Sequence, residues 1–395
     1  MPVAAPASTS ATIRALLAAP LTVDAAVRIT LINNPQIQAL FDRLGVAPDE
    51  ATRMAALSDP GAAVAEAARN RRARFDAMHG RPQGRQPSGN DAAANAATTQ
   101  LVQTALGLIF DARAAFFAVR VDEAALALRD EVLDAAVLAA EVAQRLRQAG
   151  NITSIELQLQ QRATEQARLD LIVAEERAVQ SRLRLNALMG LLGDAGEWSV
   201  APDWPERPAD EPVALLERRA LERRIDLQAA RLDLEATLNT RGLGRALQWR
   251  PAGAGDAAAL LLPEIDWTAG IAENDEAPLR EKQRRYLSLL VEIRSQVRGA
   301  ATAVSAAGRR AEIIATAIVP LQASILEEGQ RRYNAMALGP VQLLQLKQAE
   351  LDARRQASEA QRDYWLARAH LDQIVGHAPG FAAEAAPTPT PLATP

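Results

Sequence analysis

The sequence predicts an all-α protein of long antiparallel helical hairpins or coiled coil, with little or no β-sheet. Three observations lead there. Long stretches lack both proline and glycine, above all Val341 to Val375, a helix of about 50 Å at 1.5 Å per residue. Apolar residues make up 49% of the chain but aromatics only 4%, so the interior is mostly Ala, Leu and Val. That suits helices packed along thin seams rather than around one thick core. Finally, small or apolar residues recur at mostly 3–4 spacing along the long stretches, the pattern of a coiled-coil seam.

Taken in order, residues 1–20 read as a flexible Ala/Pro/Ser-rich lead. Thr22 suits the N-cap of a short helix through Ile32. Asn34 caps a second, with Pro35 in its first turn, running to about Leu57. Residues 58–92 are rich in arginine, glycine and proline and read as a polar insert. A long helix follows from about Asp91 to Ala149. Gly150 and Asn151 stop it, and Thr153 with Glu156 forms a capping box for the return helix, which runs to about Leu192. Residues 193–212, with Trp198, Trp204 and several prolines, are a linker that the two tryptophans pin to the helices. Helical signal resumes at 213–224 and from Asp226 to about Leu247. Residues 248–278 form a second, irregular insert, with an apolar run, Leu260 to Trp267, broken by Pro263. A long helix then spans Leu279 to Met336 with Pro320 inside it. A turn at Gly339 and Pro340 leads into the last helix. Residues 377–395 are a disordered Pro/Ala/Thr tail.

The chain is duplicated. Arg145–Gly190 lies over Arg331–Gly376 without a gap, matching Ala149 with Ala335, Leu157 with Leu343, Ala167 with Ala353, Arg168 with Arg354 and Leu185 with Leu371. The seams agree better still: positions 163, 167, 171, 174, 178, 181, 185 and 188 recur 186 residues later. PQIQALFD at 35–42 likewise lies over IDLQAARL at 225–232. Repeat 1 is therefore 21–192, with its hairpin tip at 148–156, and repeat 2 is 213–376, with its tip at 333–342. Two copies of one supersecondary unit are expected to pack side by side.

Little chemistry is encoded. The chain has no cysteine, which excludes disulfides, thiolate metal sites and cysteine nucleophiles. The three histidines, His79, His370 and His377, stand without ligands at metal spacing. There is no phosphate loop and no nucleophile elbow. The net charge is −4 with both signs interspersed, which gives no electrostatic case for nucleic acid. Neither an enzyme nor a cofactor is expected. The first residues lack the basic and apolar regions of a secretory signal. Paired carboxylates such as Glu175–Glu176 and Glu327–Glu328 read as solvated faces, Tyr364 as a seam residue, and Arg69–Arg74 as a solvated loop, with binding of anionic lipid headgroups or an acidic partner as the alternative.

Several strings resemble the TolC family of outer-membrane efflux factors. LTVDAAVRITLINNPQIQAL (21–40) resembles the family's opening signature and QAGNITSIEL (148–157) its first hairpin turn. RRYNAMALGPVQLLQLKQAELDARRQASEAQRDYWLARAHLDQIVG (331–376) is similar to its second hairpin turn and last helix. Together they cover most of residues 21–376. The resemblance implies a homotrimer whose long helices form a hollow α-barrel across the periplasm. Each repeat would add two strands to an outer-membrane β-barrel. It places docking of a periplasmic efflux-pump adaptor at the hairpin tips, here Ala149, Gly150, Asn151, Ile152 and Thr153 in one, and Ala335, Met336, Ala337, Leu338 and Gly339 in the other. Each set also reads simply as helix termination.

Two departures from the family are visible. The strands should fall in 58–92 and 248–278, yet the first offers consecutive arginines and the second one possible strand with a proline inside it. A membrane strand needs about 9–11 residues of alternating character, so the membrane barrel reads as missing or vestigial, and the inserts speak against membrane contact. Family members commonly line the periplasmic aperture with acids after the second turn. Gln342 and Gln345 stand there, leaving Glu156 as the acid in repeat 1, where capping is an equal reading. The expected function is a non-enzymatic helical conduit or adaptor-docking element of a cell-envelope efflux or export system, in the periplasm or associated with the outer membrane. The alternative is a soluble coiled-coil structural or partner-binding protein derived from the same family that conducts nothing.

Overall fold

A computed structural model describes residues 7–44, 89–191, 198–201, 204–251 and 261–376. In chain order the elements are α1 (Ala7–Leu17), α2 (Val23–Asn33), α3 (Pro35–Leu44), α4 (Gly89–Gln148) and α5 (Ser154–Leu188). Then come α6 (Val213–Arg223), α7 (Ile225–Thr240), strands β1 (Leu247–Pro251) and β2 (Leu261–Ile265), α8 (Glu273–Ile313), a π-helical turn (Ile314–Ile318), α9 (Val319–Asn334) and α10 (Pro340–Val375). The two strands form a single antiparallel pair. The all-α expectation holds, with that hairpin as the described sheet.

The chain divides into two compact units, and each draws on both repeats: Met1–Ala112, Met189–Ala301 and His370–Pro395 in one, Arg113–Leu188 and Thr302–Ala369 in the other. In the first unit the duplication shows in the short helices, with α3 and α7 beginning 190 residues apart. α2 shifted by 190 residues gives the bounds of α6. The Thr22 side chain accepts the Ala25 N–H as an N-cap, and the Asn34 side chain accepts from Gln36 and Ile37 N–H at the start of α3, which satisfies otherwise orphaned donors. The linker is tied back by backbone bonds from Leu21 N–H to Ser199 O and from Ala201 N–H to Leu21 O. Trp198 is buried and Trp204 half-buried, in keeping with a pinned linker. Glu217 is buried between Arg294 and Arg298. Burial works to raise its pKa, but the two arginines outweigh that and hold it below the usual range.

In the second unit the expected seam is observed. Ala167, Ala174, Ala178, Ser181 and Leu185 are buried along α5, and Ala353 and Tyr364 along α10. Small side chains let helices approach: a Cβ on Gly308 would stand 3.5 Å from the Tyr364 ring. One aromatic cluster lies here, with Trp365 stacked on Phe117 at 5.8 Å between centroids and Phe116 edge-on to Phe117. In the other unit His370 meets Phe110 edge-on at 6.0 Å, a packing role.

Several boundaries differ from expectation. The lead is not all flexible: α1 forms within it, anchored by buried Ile13. The second insert is not simply irregular. Its apolar run pairs as β2 in spite of Pro263, and α7 stops at Thr240 rather than Leu247. Helix α8 begins at Glu273, six residues before Leu279. Glu273, Asp275 and Glu276 complement the helix dipole there, and Pro278 removes one bond near the end. The helix through Pro320 is not continuous α. Proline lacks an N–H and clashes with the carbonyl four residues back, and the chain answers with the π turn directly before it. The expected helix end near Leu57, most of the 58–92 insert, Arg69–Arg74, His79, His377 and the 377–395 tail lie outside the described residues.

Candidate functional site: two matched hairpin tips

Both tips lie within the second unit and close in the same way, bond for bond. At the end of α4, Ala149 N–H donates to Arg145 O, Gly150 N–H to Arg147 O and Asn151 N–H to Leu146 O. At the end of α9, Ala335 N–H donates to Arg331 O, Met336 N–H to Tyr333 O and Ala337 N–H to Arg332 O. The last two bonds of each set are the crossed pair of a Schellman ending, which needs a left-handed residue after the helix. In the first tip Gly150 fills that place with φ +77°. In the second it is Met336, with φ +58° and the side chain 95% exposed.

The next helix starts the same way in both. Thr153 N–H and hydroxyl donate to Glu156 Oε2 at 2.7 and 2.9 Å, and Thr153 Oγ1 accepts from Glu156 N–H at 3.2 Å. At the matched place Gly339 N–H donates to Gln342 Oε1 at 3.1 Å. Glu156 and Gln342 are thus both engaged as caps. The bonds from Thr153 hold the Glu156 carboxyl below its usual range, against a smaller effect of desolvation. Gln345 is exposed on the first turns of α10. Of the remaining tip residues Ala149, Asn151, Thr153, Ala335, Ala337 and Gly339 are exposed. Ile152 and its counterpart Leu338 are partly tucked in. Under the second tip Leu338, Leu343 and Leu346 close around Gly329, where a Cβ would stand 2.3 Å from Leu346 Cδ1.

Two further features escaped the sequence reading. The outer face of α5 carries Ile155, Leu159, Leu169, Ile172, Val173, Val179 and Leu183, all exposed. These positions fall between the seam residues, so a second apolar stripe could have been read from the same spacing. Above the tips, Thr164 and Glu350, again 186 apart, are both buried polar residues. Thr164 Oγ1 donates to Ala136 O on α4 at 3.0 Å. Glu350, 2% exposed, pairs with Arg354 and with Lys347 at 3.1 Å, and Lys347 also reaches Glu131 of α4 at 3.6 Å.

Among the described residues no group of three His, Asp or Glu side chains is placed to hold a metal ion. No described helix is long and apolar enough to cross a membrane. No family model matches the sequence, and no curated protein matches it. Solved structures do match along almost the whole chain. A membrane protein from Pseudomonas aeruginosa aligns with a TM-score of 0.58 and 16% identity over 92% of each chain. The outer membrane protein VceC from Vibrio cholerae aligns with 0.57 and 16% over 90% of this chain and 96% of its own. The open-state MtrE outer membrane channel of Neisseria gonorrhoeae aligns with 0.55 and 16% over 91% and 89%. At these identities it is the fold that is shared, and it matches the duplicated hairpins described above: the chain has a TolC-like fold.

Proposed function

We propose that the chain is a non-enzymatic component of a cell-envelope efflux or export system, acting as a homotrimeric helical conduit whose hairpin tips dock a periplasmic adaptor. The observation that carries the reading is the apolar stripe on α5. Seven large apolar side chains stand exposed along one helix, more than a soluble monomer leaves in one row. A second copy of the chain is the occupant the fold suggests, since the similar solved proteins include outer membrane channels. The mechanism is passive: helices enclose a path, and the tips supply a rigid, matched pair of surfaces. Ala149 to Thr153 and Ala335 to Gly339 form those surfaces, while Glu156, Gln342 and Gln345 border the aperture.

Sedimentation equilibrium of the full chain tests the assembly, and capture of a periplasmic adaptor hairpin tests the tips. Trimers that retain the adaptor are expected, and the double substitution Leu169→Gln with Ile172→Gln is expected to break them. A chain that stays monomeric at hundreds of micromolar sinks the conduit and leaves the non-conducting scaffold as the better reading.

A further inference from the structure

We infer that the β1–β2 hairpin is a water-facing cap whose β2 edge is closed to a further strand, so that the chain enters neither a membrane nor a shared sheet through β2. This goes beyond the conduit proposal and does not depend on the tips.

The first argument concerns the edge. Asp266 N–H donates to Ala246 O, directly beyond the paired register Leu247↔Ile265. Ladder bonds alternate along an antiparallel pair. Gln248↔Glu264 and Arg250↔Leu262 are therefore the bonded pairs, and the backbone groups of Leu261, Pro263 and Ile265 point to the outer edge of β2. There Pro263 has no N–H to offer. Its carbonyl accepts from Gln283 Nε2 at 2.9 Å, and the Leu261 carbonyl accepts from the Tyr286 hydroxyl at 3.1 Å. Gln283 and Tyr286 sit one turn apart on α8. Helix α8 thus occupies two of the three outward acceptors of β2, and proline withholds a donor. Both are known ways of blunting an edge. A strand of a closed barrel must be paired on both sides.

The second argument concerns the faces. Leu247, Trp249, Pro263 and Ile265 face inward. Ile265 joins Leu234, Leu238 and Leu279 in a buried cluster, with Leu247, Trp249 and Trp267 packed against it. Arg231 covers the Trp249 ring at 4.8 Å, Arg280 covers the Trp267 ring at 4.5 Å, and Tyr286 meets Trp249 edge-on at 5.0 Å. The outward face is Gln248, Arg250, Leu262 and Glu264, all exposed, with Arg250 and Glu264 paired at 2.5 Å. A membrane barrel strand turns its apolar face out to lipid. Here the apolar face turns onto the chain's own helices and a salt bridge faces out.

The test uses the full chain carrying Leu262→Cys, which is clean because the native sequence has no cysteine. A membrane-impermeant maleimide is expected to label it at the same rate with and without phosphatidylethanolamine–phosphatidylglycerol vesicles, and the unsubstituted chain is expected to stay at the bottom of a flotation gradient. Vesicle protection of the thiol, or flotation of the chain, overturns the inference. Hydrogen exchange tests the edge separately. Gln283→Ala with Tyr286→Phe frees both carbonyls and is expected to speed exchange at the Leu262 and Glu264 amides by about tenfold. Unchanged exchange means that α8 does not hold the edge.

Discussion

Replacing Met336 with glycine is expected to make the folded chain more stable and the tip less adhesive. Met336 holds φ +58° at the place where the other tip uses Gly150. A non-glycine residue there costs roughly 1–2 kcal/mol. Glycine removes that cost but gains freedom in the unfolded chain, which takes back about 0.5–1 kcal/mol. The side chain is 95% exposed, so almost no contact is lost. The net is a gain of about 0.5–1 kcal/mol. In a chain this long that shifts Tm by only about 1–2 °C, so a urea midpoint on monodisperse protein is the better assay. Met336→Ala is the control: it keeps the left-handed cost and is expected to match the parent within about 0.3 kcal/mol. Gly150→Ala is the mirror experiment and is expected to lose about 1 kcal/mol. If Met336→Gly weakens the isolated chain, the strain argument is wrong. If it stabilises the chain and adaptor capture is undiminished, Met336 has no docking role.

Three other outcomes follow from the geometry. Gly190 and Gly376 end the two return helices with φ +68° and +70°, but a Cβ on Gly190 would stand 2.4 Å from Asn33 O, whereas on Gly376 the nearest atom is 3.6 Å away. Gly190→Ala is therefore expected to cost about 2–4 kcal/mol and Gly376→Ala about 1 kcal/mol, read by chemical denaturation; equal costs refute the steric account. Burial raises the Asp122 carboxyl above its usual range, against a hydrogen bond from Ser181 and the charges of Arg362 and Arg177. A raised folded pKa means stability that is present below the unfolded value and lost as pH rises through the folded one, so Asp122→Asn is expected to raise Tm at pH 7 and to lose that advantage on acidification; an advantage independent of pH rules this out. Glu156 is the opposite case: its folded pKa is lowered by the bonds from Thr153. Its contribution is present above the unfolded value and disappears as pH falls through the folded one, so the Thr153 amide is expected to lose exchange protection relative to its neighbours in that acid range, and Glu156→Gln to remove the dependence.

The parts of this fold that were legible in the sequence are those set by local rules. Thr22 and Asn34 cap their helices as read, Gly150 ends α4, and the Thr153–Glu156 box forms with the expected reciprocity. The alanine seam was legible because burial follows spacing on a long helix. What failed depended on distant residues. Residues 247–265 carry two prolines, Pro251 and Pro263, and too few alternating positions to read as a hairpin, and the pair is held by Gln283 and Tyr286, some 20 residues on. Helix α1 depends on burying Ile13, which its own composition does not announce. The π turn before Pro320 was foreseeable as a break but not as a widened turn. At the tips the cap of the return helix was legible in repeat 1 from Thr153 and Glu156, but not in repeat 2, where Gln342 makes the matching bond to Gly339 N–H although glycine has no capping side chain.

Comparing the repeats position by position separates what the backbone requires from what each copy has changed. Five tip bonds recur at an offset of 186, so the closure itself is the shared requirement. The side chains around it have changed in a linked way. Repeat 1 places buried Ala143 on the outgoing helix and Gln160 on the return helix; repeat 2 places Gly329 and Leu346 at the same two positions. The leucine fits because the glycine has no Cβ, and either change alone would leave a gap or a clash. The same holds for Thr164, which bonds across to a carbonyl of α4, and Glu350, which reaches α4 through Lys347 and its pairing with Glu131. Exchanging Ala143 and Gln160 together for glycine and leucine should then be tolerated better than either exchange singly, with a coupling of about 1 kcal/mol in a double-mutant cycle.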